Sequence, residues 1–425
     1  MSKKTPVVRG LRDIYPGESE RFDMVERSMI EIIRKYGYQE IRLPILEAID
    51  LFSRGLGEAT DAVEKEMYTL EDRDHDILAL RPEGTASCVR AVIDRNMTRE
   101  GKPRLWYAGP MFRYERPQKG RYRQFYQIGA EAFGLAGPDV DAELIFMGHD
   151  MWKLLGLESA VELEMNTIGS GDSRRAYSEA LVKYLNPRKK ELDADSERRL
   201  TTNPMRILDS KNSSTQKLLE SAPDPHDFID SASRAHFEGV CEYLDHEGIN
   251  FRVNPRLVRG LDYYTDTVFE WVTDELGSQG TICAGGRYNG LVERLGGPSV
   301  PAAGFAAGLD RVVLLHETLG MNADESAADV YVIVMESQHE AYARRLAQFM
   351  RRETSLRIRQ HLGGGKVGVQ MRQADRSGAR WAVIVGDEEV AENRVALKWL
   401  REETEQESLD FEQLATCLNR AVESH

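Results

Sequence analysis

The stretch FRYERPQKGRYRQFYQIGAEAF, residues 112–133, decides how the first part of this chain is organised. A turn-like run, PQKG (117–120), separates two segments that are predicted to be strands. From Arg113 to Arg123 five Lys/Arg side chains stand against one acid, Glu115. A hairpin with this charge suits an anionic phosphate ligand. A solvated basic hairpin explains the charge alone equally well.

The strand after the turn favours the ligand. Because side chains alternate along a strand, one face combines aromatic residues with a polar amide and a carboxylate: Phe125, Gln127, Gly129, Glu131 and Phe133. The opposite face consists of residues typical of a core: Tyr126, Ile128, Ala130 and Ala132. A polar face of this kind is unusual unless it binds something.

Length and composition limit the class of protein. The 425 residues are enough for two or three domains. No apolar run approaches the roughly 20 residues that span a bilayer, and no secretory signal is visible. The four cysteines are far apart and are expected to be reduced thiols of a cytoplasmic protein, forming neither a disulfide frame nor a zinc site. The net charge of −14 argues against a non-specific nucleic-acid coat but allows local basic surfaces.

Periodicity outlines the elements before residue 319. Apolar residues at helical spacing predict a helix over 21–36, and YQEIRLPIL (38–46) is predicted to be a strand that ends at Pro44. Charged helical stretches alternate with polar breaks over about 170–246, which indicates a helical insertion. Residues 319–328 lack periodicity and are predicted to be a linker.

The remainder, 329–425, alternates strands and helices and is predicted to be an α/β domain. From Arg344 to Arg380 it carries ten Lys/Arg against Glu353 and Asp375, a net charge of +8. A basic stripe of this density suggests contact with a phosphate backbone. Solvated helix faces are the simpler alternative.

RPEGTA (81–86) places Glu83 and Thr85 at the end of a predicted strand. The carboxylate and the hydroxyl could hold a substrate ammonium group. They could equally cap the next helix.

LVRGLDYYTDTVFEW (257–271) carries Arg259 into a predicted buried region, where an arginine needs an anionic partner. Asp262 could be that partner. Gly285-Gly286 permit close backbone approach to a flat ligand or form a simple turn.

In AAGFAAGLDR (302–311), Arg311 lies near a predicted helix N-terminus, where the macrodipole disfavours a cation. A ligand phosphate or a salt bridge to Asp310 would remove that conflict. GGGK (363–366) lacks the upstream glycine and the Ser/Thr of a P-loop, so that interpretation is rejected.

Taken together, RGLRDIYP, EIRLPILE, FRYERPQKGRYRQFYQ, LVRGLDYYTDTVFEW and AAGFAAGLDR resemble the motifs of the bacterial-type histidyl-tRNA synthetase family of class II. The resemblance extends from end to end. It implies an α+β fold: a catalytic domain (1–318) with an antiparallel sheet flanked by helices, the helical insertion, and an anticodon-binding α/β domain (329–425). It also implies a homodimer formed through the first motif, roughly 21–47.

The resemblance implies a histidine–tRNA ligase that uses ATP and Mg²⁺, with no membrane partner. In the family, Arg113 matches the arginine that contacts the α-phosphate and the histidine carboxylate. Arg121 is expected near the β- and γ-phosphates, Phe125 on the adenine, and Arg311 on the triphosphate. Arg259 matches the distinctive catalytic arginine, and no protein ligand for a metal is assigned.

Histidine recognition is implied in the same way. Glu131 and Tyr264, with Tyr263 beside them, match the groups near the imidazole. Three further residues match those that hold the α-amino group: Glu83, Thr85 and Gln127. Tyr114 and Tyr126 stand where relatives also have histidine.

The remaining implications concern tRNA(His). The turn with Arg116 and Gln118 is expected to approach the acceptor end, and the basic C-terminal domain resembles the family's anticodon reader. The alternative is a non-catalytic regulatory paralogue that binds histidine. Such paralogues typically lack the anticodon domain and the arginines that are present here.

Overall fold

The computed structural model describes residues 5–57, 60–322, 326–402 and 404–423. Contacts divide the chain into two compact units, which are Met1–Ile14 with Phe22–Asn322 and Tyr15–Arg21 with Ala323–His425. Residues 323–325 of the predicted linker lie outside the described residues.

The structure is a mixture of helices and strands, as predicted. The strands are β1 Gln39–Glu40, β2 Leu46–Ala48, β3 Tyr68–Glu71, β4 Ile77–Leu80, β5 Arg104–Phe112, β6 Gln124–Phe133, β7 Glu162–Thr167, β8 Arg252–Val253, β9 Thr265–Val272, β10 Thr281–Arg287, β11 Ala302–Gly308, β12 Val330–Val334, β13 Ile358–Gln360, β14 Trp381–Val385, β15 Val395–Trp399 and β16 Glu407–Leu409. The helices are α1 Glu18–Lys35, α2 Ile49–Leu56, α3 Thr85–Asp94, α4 Met97–Glu100, α5 Pro138–Leu154, α6 Gly171–Leu185, α7 Ala194–Thr202, α8 Ser213–Leu219, α9 Ser231–His246, α10 Leu291–Arg294, α11 Leu309–Thr318, α12 Glu340–Glu353, α13 Val367–Arg376, α14 Asp387–Ala391 and α15 Phe411–Glu423.

The first unit is built on an eight-stranded sheet in the order β1-β5-β6-β11-β10-β9-β7-β8. All neighbours are antiparallel except β1 with β5 and β7 with β8. Helices flank this sheet, which confirms the predicted fold class. A separate antiparallel sheet has the order β2-β4-β3.

Strand β6 is central to the sheet, and both of its faces are covered. Ile128 and Ala130 pack into the core that contains α1 and α5, as the alternation predicts. Phe133 and Phe125 pack on the other side, in a second core with α2 and α3. On this second face Glu131 is buried, whereas Gln127 is only half-buried.

The predicted helix over 21–36 is α1, and its apolar stripe is buried at Phe22, Val25, Met29, Ile32 and Ile33. The predicted strand over 38–46 is wrong in extent. Only β1 pairs with β5, and β2 begins after Pro44 in the other sheet. Proline has no N–H to donate to a ladder, so the chain leaves one sheet before it and joins the next after it.

The predicted insertion over about 170–246 is helical and contains α6 to α9. It has its own small core, formed by residues such as Tyr177, Leu181 and Leu200. Asp193 and Asp230 cap α7 and α9 by accepting backbone N–H bonds.

The second unit is a five-stranded sheet in the order β13-β12-β14-β15-β16. Helices α12 and α15 pack on one face, and α13 packs on the other. The ten basic residues predicted to form one stripe are therefore distributed over both faces and the β13 edge. Sequence periodicity missed α14 and β16, which are short.

Candidate active site

An open cleft in the first unit contains most of the residues predicted to bind ligands. Its volume is about 940 Å³, including its solvent-filled mouth. Ten of the predicted residues line it: Glu83, Thr85, Arg113, Arg121, Phe125, Gln127, Arg259, Tyr263, Tyr264 and Arg311. Glu131 lies directly behind Thr85, whose hydroxyl donates a hydrogen bond of 2.7 Å to Glu131 Oε1.

Glu131 is the most buried acid of the site, with 0% exposure. Its Oε1 accepts hydrogen bonds from Thr85 and Tyr107, at 2.7 and 3.0 Å, and its Oε2 accepts one from Tyr288. Gly304 leaves the space for this carboxyl group, because a Cβ there would collide with Oε2. Burial raises the pKa of Glu131 to about 8, and its three hydroxyl donors oppose that rise.

Glu83 caps helix α3. Its two carboxylate oxygens each accept a backbone N–H at 2.8 Å, from Thr85 and Ala86. Burial raises the pKa of Glu83, although these backbone N–H groups counteract the shift. The capping function is therefore present in the structure, and the same carboxylate also faces the cleft. The two interpretations of the sequence are compatible.

Gln127 projects into the cleft from β6. Its Oε1 is buried and finds no hydrogen-bond partner among the described residues. A buried amide oxygen without a donor is unfavourable, so this atom suits an N–H group of a ligand. An amino group is the simplest such donor.

The side of the cleft away from Glu131 is lined by three arginines and one aromatic ring, which are Arg113, Arg121, Arg311 and Phe125. The guanidinium of Arg113 lies 5.2 Å from the centre of the Phe125 ring, and its Nε donates to the Pro82 carbonyl at 2.9 Å. Arg121 forms an ion pair with Glu115. An aromatic ring beside one guanidinium, in a cleft lined by further arginines, suits a nucleotide base with its phosphates.

Arg311 lies in the first turn of α11. Its guanidinium donates to the Thr281 carbonyl at 2.6 Å and to Gln279 Oε1 at 2.9 Å. Burial lowers its pKa to about 10. Asp310 does not resolve the dipole conflict by pairing with Arg311. It accepts from Arg12 at 2.9 Å and from the Tyr126 N–H at 2.7 Å instead.

Arg259 has an anionic partner, as predicted, but the prediction that this partner is Asp262 is wrong. Arg259 pairs with Glu270, which also accepts a hydrogen bond of 2.8 Å from Thr281. Its Nε is buried and lacks a hydrogen-bond partner within the described parts of the chain. The arginine therefore retains a donor for a ligand at the middle of the cleft.

Asp262 contacts the helical insertion. Its Oδ1 accepts a hydrogen bond of 2.6 Å from Asn203, and Arg174 donates to the Tyr264 carbonyl at 2.7 Å. The insertion thus holds the loop that carries Arg259 and Tyr264.

The turn predicted to approach an acceptor end lies at the edge of the cleft, where Gly120 belongs to the lining and Arg116 and Gln118 do not. Gln118 and Arg121 form an isolated β-bridge, and Gly120 has a φ of 73°, which glycine adopts readily. Arg116 and Gln118 are exposed. Gly285 and Gly286 belong to strand β10 and form no turn.

Sequence reasoning missed Tyr107, Tyr288 and Glu270. Tyr107 lies on β5 opposite Gly129, whose Cβ would be 2.5 Å from its ring. Tyr288 directly follows strand β10, two residues after the Gly285-Gly286 pair. The hydroxyl of Tyr288 could have indicated its role, since a buried tyrosine needs a hydrogen-bond partner.

The sequence and the fold of this chain are similar to those of known proteins. The family model "Histidyl-tRNA synthetase" matches residues 10–312, and the model "Anticodon binding domain" matches residues 329–420. The chain is 37% identical to the apo histidyl-tRNA synthetase of S. aureus, with a TM-score of 0.80, and the match covers 98% of this chain and 100% of that one.

Two more distant structures share the fold. The histidyl-tRNA synthetase of Nostoc sp. PCC 7120 is 20% identical with a TM-score of 0.72, and the match covers 99% of this chain and 100% of that one. A protein described as an ATP phosphoribosyltransferase regulatory subunit/histidyl-tRNA synthetase, from Bacillus halodurans, is 22% identical with a TM-score of 0.64, and the match covers 91% and 100%.

Proposed function

The chain belongs to the histidyl-tRNA synthetase family of histidine–tRNA ligases, and we propose that its cleft activates L-histidine with ATP before transfer to the 3′ end of tRNA(His). One observation carries the proposed division of the cleft: an enclosed carboxyl-and-hydroxyl cluster around Glu131 adjoins a row of arginines beside Phe125. The regulatory paralogue is not favoured, because the match to the S. aureus synthetase covers 98% of the chain.

The histidine half of the proposed site lies around Glu131. We assign the imidazole to Glu131 and Tyr264, with Tyr263 packed beside Tyr264 at a ring separation of 4.6 Å. The α-amino group is assigned to Glu83, Thr85 and Gln127. The unpartnered Gln127 Oε1 supports this assignment, since an ammonium group would supply its missing donor.

The ATP half of the proposed site contains Phe125, on which the adenine would stack, and Arg113, Arg121 and Arg311, which would contact the phosphates. Attack of the histidine carboxylate on the α-phosphate forms a P–O bond, and pyrophosphate leaves. Arg259 and Arg113 would neutralise charge that builds at the α-phosphate.

Mg²⁺ would enter with ATP. Glu115 and Glu270 are carboxylates near the phosphate positions, and each is already paired with an arginine. This fits an ion held chiefly by substrate phosphates and water, which is common for Mg²⁺. Its chemistry there would be to neutralise phosphate charge.

The remaining proposals rest on the family and on surface composition. We propose that Arg116 and Gln118 approach the tRNA acceptor end, that residues 329–425 contact the anticodon, and that the protein acts in the cytoplasm. Within the described residues, no helix is both long and apolar enough to cross a membrane.

We also propose a homodimer. The sheet β2-β4-β3 and its flanks expose four apolar side chains, each to about two-fifths: Ile45, Leu46, Leu70 and Ile77. A second copy would cover such a patch. Size-exclusion chromatography with light scattering should give twice the chain mass, and Leu46→Asp with Leu70→Asp should reduce it to one.

Histidine-dependent exchange of pyrophosphate into ATP tests the proposed function. We expect exchange that requires histidine and is not supported by other amino acids. Folded protein with no exchange above background would refute it.

A further inference from the structure

The second unit contains a group of three potential metal ligands outside the synthetase cleft. We propose that Glu336, His339 and Asp387 bind a divalent transition-metal ion such as Zn²⁺. One ligand atom from each residue lies within 4.8 Å of the other two. This proposal does not depend on the activity of the first unit.

The topology of the sheet places the group at a position suited to ligands. Strands β12 and β14 are parallel neighbours. After β12 the chain passes to β13 on one side, and after β14 it passes to β15 on the other. Ligands of open α/β sheets bind outside the carboxyl ends of strands at such a reversal of strand order. Glu336 and Asp387 each follow their strand by two residues.

The two loops approach closely at this edge. The Met335 N–H donates to the Val385 carbonyl at 2.9 Å. Gly386 permits this approach, because a Cβ there would lie 2.8 Å from the Met335 sulfur. The backbone thus brings the two carboxylates together from different strands.

His339 lies between the two carboxylates. Its Nε2 is 2.5 Å from Asp387 Oδ1 and 3.9 Å from Glu336 Oε2, and its side chain is only 12% exposed. Glu336 Oε2 is buried and has no hydrogen-bond partner in the described parts of the chain. The side chains of Glu336 and Asp387 are 41% and 69% exposed, and Asp387 Oδ1 also accepts a hydrogen bond of 2.8 Å from Gln338. The single oxygen Oε2 of Glu336 is nevertheless enclosed beside His339 without a donor, and an ion bound at Nε2 would give it a cation.

The local charge also favours a cation. The segments MESQHE (335–340) and GDEEVAE (386–392) contain six acids and no Lys or Arg. The same domain is otherwise basic between Arg344 and Arg380. An ion at His339 would offset repulsion among these carboxylates.

The donor set indicates the class of ion. One imidazole nitrogen and two carboxylate oxygens suit Zn²⁺ and similar transition metals, whereas Mg²⁺ and Ca²⁺ prefer oxygen alone. Three protein ligands leave at least one position for water.

Zn²⁺ binding to the full-length, chelator-treated chain tests the proposal, by competition with a chromophoric chelator. We expect one Zn²⁺ per chain at this site. His339→Ala should abolish the binding of that one Zn²⁺ ion. The nearly isosteric Glu336→Gln should weaken it by about 10- to 100-fold, since loss of even an outer partner has that effect. Circular dichroism would verify the fold of each variant.

His75→Ala is the matched control. His75 also pairs with a carboxylate, Glu71, on an exposed surface, and it is not part of a three-ligand group within the described residues. Its loss should leave the Zn²⁺ stoichiometry unchanged. Wild-type protein that binds no Zn²⁺, or His339→Ala protein that binds it as tightly as wild type, would overturn the proposal.

Discussion

The two halves of the cleft are built differently. Around Glu131, the polar groups are buried and already joined by hydrogen bonds among Thr85, Tyr107 and Tyr288. On the other side, Arg121 and Arg311 are partly accessible and hold protein groups that a phosphate would replace. One half is therefore preorganised for a small rigid ligand. The other half is occupied by exchangeable contacts.

In the proposed assignment, this difference separates selectivity for histidine from reactivity at the phosphates. A buried cluster that hydrogen-bonds a ligand rejects analogues that leave its polar atoms unpaired, a discrimination of up to roughly 10⁴–10⁵. Arginines that pair with Glu115 or with backbone carbonyls keep their charge available near the proposed phosphate positions. Arg259 lies between the halves and connects them.

The largest expected effect comes from replacing Arg259. Arg259→Ala should lower the rate of pyrophosphate exchange by about 10²–10³, the usual cost of losing one donor that stabilises developing charge. Rates at saturating histidine and ATP measure it. The control is Arg116→Ala, which removes an exposed arginine of the hairpin in residues 112–133. It should leave the exchange rate unchanged. An Arg259→Ala enzyme as fast as the control would remove Arg259 from the chemistry.

The next effect separates the halves from the histidine side. Glu131→Gln should raise the KM for histidine about 10- to 100-fold, because the amide cannot ionise as the carboxyl group can when it accepts an imidazole N–H, and a hydrogen bond to a charged group is worth about 1.5–3 kcal/mol. The KM for ATP should change little. Exchange kinetics with each substrate varied in turn provide the comparison. Equal increases in both constants would show that Glu131 does not contact the imidazole.

A smaller effect separates them from the ATP side. Arg311→Ala should raise the KM for ATP about tenfold, consistent with one lost charged hydrogen bond. Histidine binding should remain as in wild type. Arg311→Lys should recover part of the loss, since it restores the charge but not the planar fork. If the histidine KM rose instead, the assignment of Arg311 to the triphosphate would fail.

The last effect is on stability rather than on activity. Because the pKa of Glu131 is raised from 4.5 to about 8, the folded chain binds more protons than the unfolded chain between these values. Its stability should therefore fall as pH rises through that window. Glu131→Gln lacks this contribution. Its Tm should therefore rise relative to the Tm of wild type as pH increases through that window. Parallel Tm curves would contradict the raised pKa.

Some of the site followed from local pattern. Alternation along β6 placed Gln127 and Glu131 on one face, and helical spacing identified the buried side of α1. Both depend only on neighbours in sequence. The family resemblance added Arg113, Arg259 and Arg311, which charge alone did not assign.

What could not be predicted depends on distant contacts. Asp262 is close to Arg259 in sequence, but the loop turns it towards Asn203 of the insertion, and Glu270 reaches the arginine from β9. Tyr288 reaches Glu131 from 157 positions away. The predicted basic stripe also failed as one surface, because α12 and α13 cover opposite faces of their sheet.

Calorimetric titration of histidine alone, without ATP, tests the central claim most directly. If the half around Glu131 is preformed, wild-type protein should bind one histidine per chain in the absence of nucleotide, and Glu131→Gln should bind it about 10- to 100-fold more weakly. No binding until ATP is added, or equal binding by both proteins, would contradict the account.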